Sequence, residues 1–264
     1  MILSLQKALK ILRVISDAKG EPVSLMSIAQ KTEIPKPTCS HLLETLCYEG
    51  YVVRVSHTEG YTLGPSLHYL TRYGRYEEGF ITLCRPILRW IERKSHATVI
   101  LSVIQSGHKF IIDYADTDQR FFQEHPIIRT DDIYRTATGQ AILAQMEPDD
   151  VERIYRLNGA PPPGHWDAVT NCEELLHELS LIRRHKVVKV VETTGSAVGY
   201  ACPIFKRHTC IGAIGIAQKK ELAHDEETLM RILWQGTKEI ERRLRFIPPA
   251  FSPASRDNPQ DAPF

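Results

Sequence analysis

The sequence predicts an α+β protein in which a small helical module with a β-hairpin precedes a linker helix and a second domain of helices and strands. Three short helical patterns fill about the first fifty residues, and two strand-like runs with a glycine-containing loop follow them. Five further strand-like runs accompany helical stretches beyond residue 95. The 264 residues, 42% apolar and 25% charged, provide material for about two domains.

Caps and helix breakers delimit the three helices of the first module. Ser4 and Ser24 are predicted to cap the first two helices, and Pro37 to begin the third, because these residue types favour helix starts. Gly20 and Gly50 are predicted to end the first and third helices. Apolar residues at helical spacing predict the buried stripes, namely Leu5, Ala8, Leu9, Leu12 and Ile15 in the first helix and Cys39, Leu42, Leu43 and Leu46 in the third.

A β-hairpin is predicted after the third helix. Residues 51–55 and 61–64 have the composition of paired strands, and the polar loop between them ends at Gly60. Three helices followed by a hairpin are typical of a winged helix-turn-helix DNA-binding domain, which we place at residues 1–75. The pattern is helical again from Pro65 to about Lys94, with a break near Gly74 or Gly79, and we place a linker helix and an entry helix at 76–94.

Residues 95–247 are predicted to form the second domain. It combines strand-like runs at 98–104, 109–114, 187–191, 199–205 and 210–217 with helical stretches at 139–146, 149–157 and 173–185. This mixture indicates an α+β sensor-like domain with a largely antiparallel sheet. Residues 248–264 contain five prolines and no apolar periodicity, and we expect this tail to be disordered.

Composition excludes several classes of protein. The 33 Lys and Arg residues nearly balance the 32 Asp and Glu residues, so no global field indicates a nucleic-acid or membrane partner, and DNA would have to meet a local patch. None of the six cysteines forms a CxxC pair, and no run of about 18 apolar residues occurs. We therefore expect a cytoplasmic protein with reduced thiols. HExxH, GxSxG, P-loop and GxGxxG motifs are absent from the sequence, so we expect no catalytic residues, metal or cofactor.

The polar face of the third helix is the candidate DNA-reading surface, because hydrogen-bonding side chains read base edges in the major groove. Ser40, His41 and Thr45 are predicted to reach bases, and Thr38 at the helix start a phosphate. The full candidate set is Lys36, Pro37, Thr38, Ser40, His41, Thr45, Arg54 and His57, the last two on the hairpin wing. A solvated polar face on a small helical domain is the alternative.

The local charge predicts that one copy of this module binds DNA weakly. Residues 1–76 contain nine Lys and Arg residues and six acidic residues, which gives a net charge of about +3. A dimer or tetramer that presents two or more copies to a repeated site would supply the missing affinity.

The order and spacing of several segments resemble the isocitrate lyase regulator (IclR) family of bacterial transcription factors, over the chain up to about Ile247. The segments in the first domain are SLQKALKIL at 4–12, SL at 24–25, IA at 28–29, IPKPT at 34–38, LL at 42–43, TL at 45–46, GYV at 50–52 and YTLG at 61–64. Those in the second are RP at 85–86, TATGQAILA at 136–144, Ala201, and PIF at 203–205.

The resemblance implies a regulator whose winged helices bind double-stranded palindromic operators as a dimer or a dimer of dimers. It also implies a GAF-like C-terminal domain that binds a small-molecule effector. Two residues depart from the family pattern, since His41 and Thr62 stand where the family commonly has Arg. A metabolite sensor whose winged helix mediates protein contacts rather than DNA binding is the alternative function.

The turn at residues 136–139 is the candidate effector site. Its small residues open a helix whose first amides a ligand carboxylate can approach, although simple close packing of the helix on the sheet is the alternative. The predicted effector-binding residues, most of them implied by the resemblance, are Ala137, Thr138, Gly139, Lys189, Gly199, Gly215 and Ala217. Gly199 stands where Cys is common in the family, and Gly215 and Ala217 where small hydroxyl residues are common.

These replacements predict a roomier and less polar pocket that suits an aromatic or longer-chain carboxylate. The acidic pair that the family places before the Glu192 region is replaced by Lys189-Val190-Val191. Lys189 is therefore a candidate counter-ion for the carboxylate, with a solvated strand lysine as the alternative.

Overall fold

The protein is represented by a computed structural model that describes residues 2–56, 60–71, 76–116, 129–130, 133–191, 197–219 and 225–246. Two compact units divide the chain at residues 1–78 and 79–264. His57, Gly74 and the proline-rich tail at 248–264, each the subject of a prediction above, lie outside the described residues. Within the described ranges, no helix combines the length and apolar character needed to cross a bilayer.

The N-terminal unit consists of helices and one antiparallel hairpin. Its elements are α1 (Leu3–Ser16), α2 (Leu25–Thr32), α3 (Lys36–Tyr48), β1 (Val52–Ser56), β2 (Gly60–Leu63) and α4 (Pro65–Thr71). Val23 and Tyr61 exchange backbone hydrogen bonds of 2.9 Å in both directions, which ties the hairpin to the segment before α2.

The predicted caps of this unit are partly correct. Ser24 caps α2, because its Oγ accepts a hydrogen bond of 3.2 Å from the Ser27 amide. Glu33 then adopts a left-handed backbone with φ 59°, which turns the chain sharply towards α3. The predicted cap at Ser4 is wrong, since α1 begins at Leu3 and no side chain caps it. Pro37 is the second residue of α3 rather than the first.

A small apolar core holds the three helices and the hairpin together. Its buried members are Ile11, Ile15, Val23, Ile28, Ile34, Cys39, Leu43, Leu46, Val52 and Tyr61. The predicted stripe of α3 is therefore buried, with Leu42 at its margin. The stripe of α1 is only partly confirmed. Ile15 is buried and Ala8 and Leu12 pack against the core, whereas Leu5 is 56% and Leu9 47% exposed.

The C-terminal unit is built on a six-stranded antiparallel sheet in the order β5-β4-β3-β8-β7-β6. Its strands are β3 (Thr98–Gln105), β4 (His108–Ala115), β5 (Arg129–Thr130), β6 (Val188–Val191), β7 (Ala197–Lys206) and β8 (Thr209–Lys219). Its helices are α5 (Thr82–Ser95), α6 (Ala137–Leu143), α7 (Pro148–Asn158), α8 (Cys172–Ile182) and α9 (Glu226–Leu244). A π-helical turn (Tyr76–Ile81) precedes α5 and contains Gly79, one of the two predicted break points. The five predicted strands and the antiparallel sheet are confirmed.

Side-chain alternation gives this sheet two distinct faces. Gly199 and Ala201 of β7 point towards α6, since a Cβ at Gly199 would meet the Ala137 Cβ at 3.4 Å and Ala201 belongs to the apolar cluster of α6. Tyr200 and Cys202 point the other way, towards α9, whose Thr237 hydroxyl interacts with the Cys202 thiol. We call these the α6 face and the α9 face.

Helix α9 was not predicted from the sequence. It begins after Asp225, whose carboxylate accepts from the Glu227 and Thr228 amides at 3.3 Å. Its buried residues Leu229, Leu233, Ile240 and Leu244 recur at helical spacing. The cap and the periodicity were both present in the sequence.

Candidate nucleic-acid interface and effector site

The side of α3 that faces away from the core is polar and exposed. With Cys39, Leu43 and Leu46 inward, the side chains that project outward are Lys36, Pro37, Ser40, His41, Glu44, Thr45 and Tyr48. The predicted base-reading residues therefore share one surface, which we call the α3 face. Thr38 is half-buried in the first turn. The Thr45 hydroxyl donates to the His41 carbonyl at 3.1 Å, which leaves its oxygen lone pairs to accept.

A surface cavity of about 240 Å³ adjoins the α3 face. Its lining comes from three separate segments and comprises Ser24, Leu25, Met26, Lys36, Arg54, Ser56, Gly60 and Tyr61. The Lys36 and Arg54 cations lie at this cavity together with the first turn of α2. Helix amides and two cations favour an anion, so this arrangement suits a phosphate group.

The hairpin holds Arg54 in place at this cavity. The Arg54 guanidinium lies over the Tyr61 ring, 5.6 Å from its centroid, in a cation–π contact. Tyr61 is buried and fixed by its backbone bonds to Val23. Gly60, with φ 113°, allows this close approach, because a Cβ there would lie 2.4 Å from the Val23 carbonyl oxygen.

In the C-terminal unit, α6 lies directly on the sheet through small residues. A Cβ at Gly215 would come within 2.6 Å of the Thr138 Cγ2. Ala217 pairs with Gly199 and shares the α6 face. The structure therefore brings Ala137, Thr138, Gly199, Gly215 and Ala217 together. Thr138 already fills the space beside Gly215, so the prediction of a roomier pocket is wrong at that position.

The turn before α6 is fixed by a short hydrogen-bond chain. The Thr136 Oγ1 accepts from the Gly139 amide at 3.2 Å and from the Lys109 Nζ at 3.0 Å. The Gly139 amide is thus engaged by this cap. Lys109 is only 3% exposed, so a buried lysine amino group lies beside the start of α6. No local pattern indicated this burial, since most lysines in strands reach solvent.

The predicted role of Lys189 as a counter-ion for the effector carboxylate is wrong. Lys189 pairs with Tyr200 across β6 and β7, so its side chain lies on the α9 face, opposite Gly199. Its Nζ lies 2.5 Å from the Glu226 Oε2 and 5.9 Å from the Tyr200 ring centroid. The hydrogen bond that Lys189 donates to Glu226 raises the pKa of Lys189. The ion-pair partner of Lys189, Glu226, is the first residue of α9, the helix that was not predicted.

The described residues place no group of three or more His, Cys, Asp or Glu side chains where they could hold a metal ion. Burial raises the pKa of Cys202 and of Cys210 to about 12. Both thiols are therefore protonated at neutral pH and are poor nucleophiles.

Two family models match the chain in the order of its two units. The IclR helix-turn-helix domain matches residues 4–56. The C-terminal domain of the bacterial transcriptional regulator IclR matches residues 77–242, more than half of the chain. This chain belongs to the IclR family.

Curated members of the IclR family are similar to it over part of their length. The transcriptional repressor IclR of Escherichia coli is 27% identical over 158 residues, which cover 59% of this chain and 57% of that protein. The acetate operon repressor of Salmonella typhimurium is 28% identical over 158 residues, which again cover 59% of this chain and 57% of that protein. The chain thus matches a little over half the length of these relatives.

Solved IclR-family structures share the fold. An IclR homolog from Microbacterium hydrocarbonoxydans, complexed with 4-hydroxybenzoate, has a TM-score of 0.71 at 19% identity and covers 92% of this chain and 99% of that chain. The Thermotoga maritima IclR has a TM-score of 0.64 at 22% identity, with 91% and 98% coverage. The predicted α+β fold, a helix-turn-helix domain followed by an α/β domain, is confirmed.

Two exposed residues of this IclR-family chain were not among the predicted site residues. Tyr48 ends α3, is 89% exposed and lies on the α3 face. Met26 lines the cavity at the start of α2. The helical spacing from Glu44 to Tyr48 was a usable signal for the first. The place of Met26 in the cavity lining depends on where the hairpin lies, and no local sequence pattern reveals that position.

Proposed function

We propose that this IclR-family chain is a transcriptional regulator that binds double-stranded operator DNA through the α3 face and the adjoining cavity. The observation that carries the proposal is the cavity itself, which places Lys36, Arg54 and the start of α2 beside a polar, exposed helix face. In this arrangement α3 lies in the major groove, where Ser40, His41 and Thr45 face base edges. The cavity receives a backbone phosphate and sets the register of the helix.

Self-association completes the proposed DNA-binding unit. One α3 face covers one half-site, so a dimer or tetramer presents paired helices to a palindromic or pseudo-palindromic operator. Half-sites one turn of DNA apart, about 34 Å, match such a pair. Joining two modules of modest positive charge also raises the affinity through effective concentration.

The proposed effector of the C-terminal unit is a small organic acid, with an aromatic carboxylate favoured. The IclR homolog that binds 4-hydroxybenzoate supports this class of ligand. On the α6 face, Ile100 pairs with both Gly215 and the exposed Tyr114, which supplies apolar surface for a ring. The amides of Ala137 and Thr138 and the nearby Lys109 suit the carboxylate. The ligand regulates DNA binding only to the extent that it binds two arrangements of the oligomer unequally.

Thermal-shift screening of the full chain tests this class of effector. We expect hydroxybenzoates to raise the melting temperature more than two-carbon and three-carbon acids do, because ring burial adds apolar contact area. A preference for small hydrophilic acids would contradict the aromatic assignment.

A gel shift with the DNA upstream of the chain's own gene tests DNA binding. We expect a sequence-selective complex that weakens steeply as salt rises, because phosphate contacts release counterions. An unrelated duplex of equal length is the control. No complex at low salt would favour a winged helix that contacts protein instead.

Replacing His41 with alanine is expected to weaken selectivity at one operator position by about 1–3 kcal/mol while other positions keep their preference. The imidazole is 82% exposed on the α3 face, so its loss removes a base contact without disturbing the core. Fluorescence anisotropy with a set of single-base-pair operator variants measures the change. An unaltered base preference would remove His41 from the reading set.

Replacing Arg54 with alanine is expected to weaken binding to every duplex and to lower the salt slope by about one. Arg54 lies at the cavity that receives the phosphate and is held there over the Tyr61 ring. Affinity measured across a salt series gives the slope. Arg184→Ala, which removes an exposed arginine from the other unit, is the matched control and should leave the slope unchanged. A change confined to one operator position would show that Arg54 reads a base.

A further inference from the structure

A carboxylate occupies the centre of the α3 face. Glu44 follows Ser40 and His41 by one helical turn and precedes Tyr48 by another, so it lies between the outward side chains of this surface. Its side chain is 82% exposed, and its Oε2 lies 3.8 Å from the His41 Nδ1. If α3 lies in the groove as proposed above, Glu44 faces the base pairs directly.

An acidic side chain at this place carries an electrostatic cost. DNA phosphates repel a carboxylate, and the cations at Lys36 and Arg54 show that the neighbouring surface suits anions. Such a residue contributes to binding only if it meets a hydrogen-bond donor. In the major groove, amino donors are found on cytosine N4 and adenine N6. Adenine places its N7 acceptor beside that donor, which repels a carboxylate, so cytosine is the better match.

We propose that Glu44 reads a cytosine by accepting a hydrogen bond from its N4 amino group, and that His41 reads the neighbouring base pair. This inference rests on the proposed DNA-binding function. Residues three apart on a helix are separated by about 4.5 Å along its axis, close to the rise of about 3.4 Å between base pairs. The two side chains therefore address adjacent steps of the operator.

Binding-site selection with the full chain tests the proposal. Randomised duplexes are selected with the wild-type protein and with Glu44→Gln, Glu44→Ala and His41→Ala, and affinities for the four bases at each position are then measured. The wild type should prefer cytosine by about tenfold at one position. Glu44→Gln should shift that preference to adenine, because an amide pairs with adenine N6 and N7. Glu44→Ala should bind the four bases within about twofold of one another.

The matched control is Glu49→Gln. Glu49 is an exposed acid at the end of the same helix, so Glu49→Gln removes the same charge as Glu44→Gln. Glu49 itself lies off the α3 face. It should strengthen binding slightly to all sequences and retain the cytosine preference. The cytosine preference should also survive in His41→Ala, whose change should appear at the adjacent position.

Three results would overturn the inference. If Glu44→Gln and Glu49→Gln strengthen all complexes alike and leave the base preferences unchanged, Glu44 only repels the backbone. If Glu44→Ala and His41→Ala alter the same position, Glu44 acts through His41 and reads no base itself. If the wild type selects no sequence, the proposed function fails first and this inference falls with it.

Discussion

Replacing Leu43 with alanine is expected to abolish duplex binding at 25 °C by unfolding the N-terminal unit. Leu43 is 0% exposed and packs in the centre of the small core beneath α3. Truncating a buried leucine to alanine costs about 2–5 kcal/mol. A domain of this size has only a few kcal/mol of stability in reserve, so the loss is comparable to the total.

Two spectroscopic measurements locate this effect. The three tryptophans, Trp90, Trp166 and Trp234, all lie within residues 79–264, so their fluorescence reports on the C-terminal unit alone. We expect their unfolding transition to remain unchanged while anisotropy shows no complex with the operator. Leu43→Met, which conserves volume, is the control and should bind DNA. Normal operator affinity in Leu43→Ala would show that this core tolerates the cavity.

Replacing Gly139 with alanine is expected to destabilise the C-terminal unit by about 3 kcal/mol. An added Cβ would lie 2.0 Å from the Ile133 carbonyl oxygen and 2.9 Å from the Thr136 Oγ1. Close-packed interiors relax little, so α6 must shift away from the turn that caps it. The denaturant midpoint of tryptophan fluorescence measures the change in the free energy of unfolding.

Gly199→Ala provides the matched control at the same helix–sheet contact. Its Cβ would meet the Ala137 Cβ at 3.4 Å, an ordinary van der Waals distance. We expect the free energy of unfolding to change by less than about 1 kcal/mol. Equal losses in the two variants would indicate that helix packing in general, and not the carbonyl contact at Gly139, limits this position.

The elements that could be predicted from the sequence are those governed by local signals. The Ser24 hydroxyl caps α2 by accepting a hydrogen bond from the amide of Ser27, only three positions away. The buried stripe of α3 follows from apolar periodicity within one helix. The strands of the second domain were predicted from short apolar runs. Helix α9 had comparable signals and could have been found, since Asp225 and the spacing of its apolar residues mark its start and its buried face.

The errors concern contacts between distant segments. Lys189 was predicted to serve as a counter-ion for the effector, because neither its pairing with Tyr200 nor its ion-pair partner Glu226, 37 residues away, leaves a local pattern in the sequence. Leu5 and Leu9 fit the helical period, but the position of α2 and α3 against the end of α1 decides which residues are buried. The cavity beside the α3 face likewise depends on the Val23–Tyr61 bridge, which joins segments that share no local pattern.

The left-handed backbone at Glu33 has an evolutionary consequence. A residue with a side chain costs about 1–2 kcal/mol in this conformation, whereas glycine adopts it freely. Glu33 is exposed and lies outside the α3 face. A single Glu33→Gly substitution can therefore raise the thermal stability of the N-terminal unit during evolution, while the operator sequence that the protein reads stays the same.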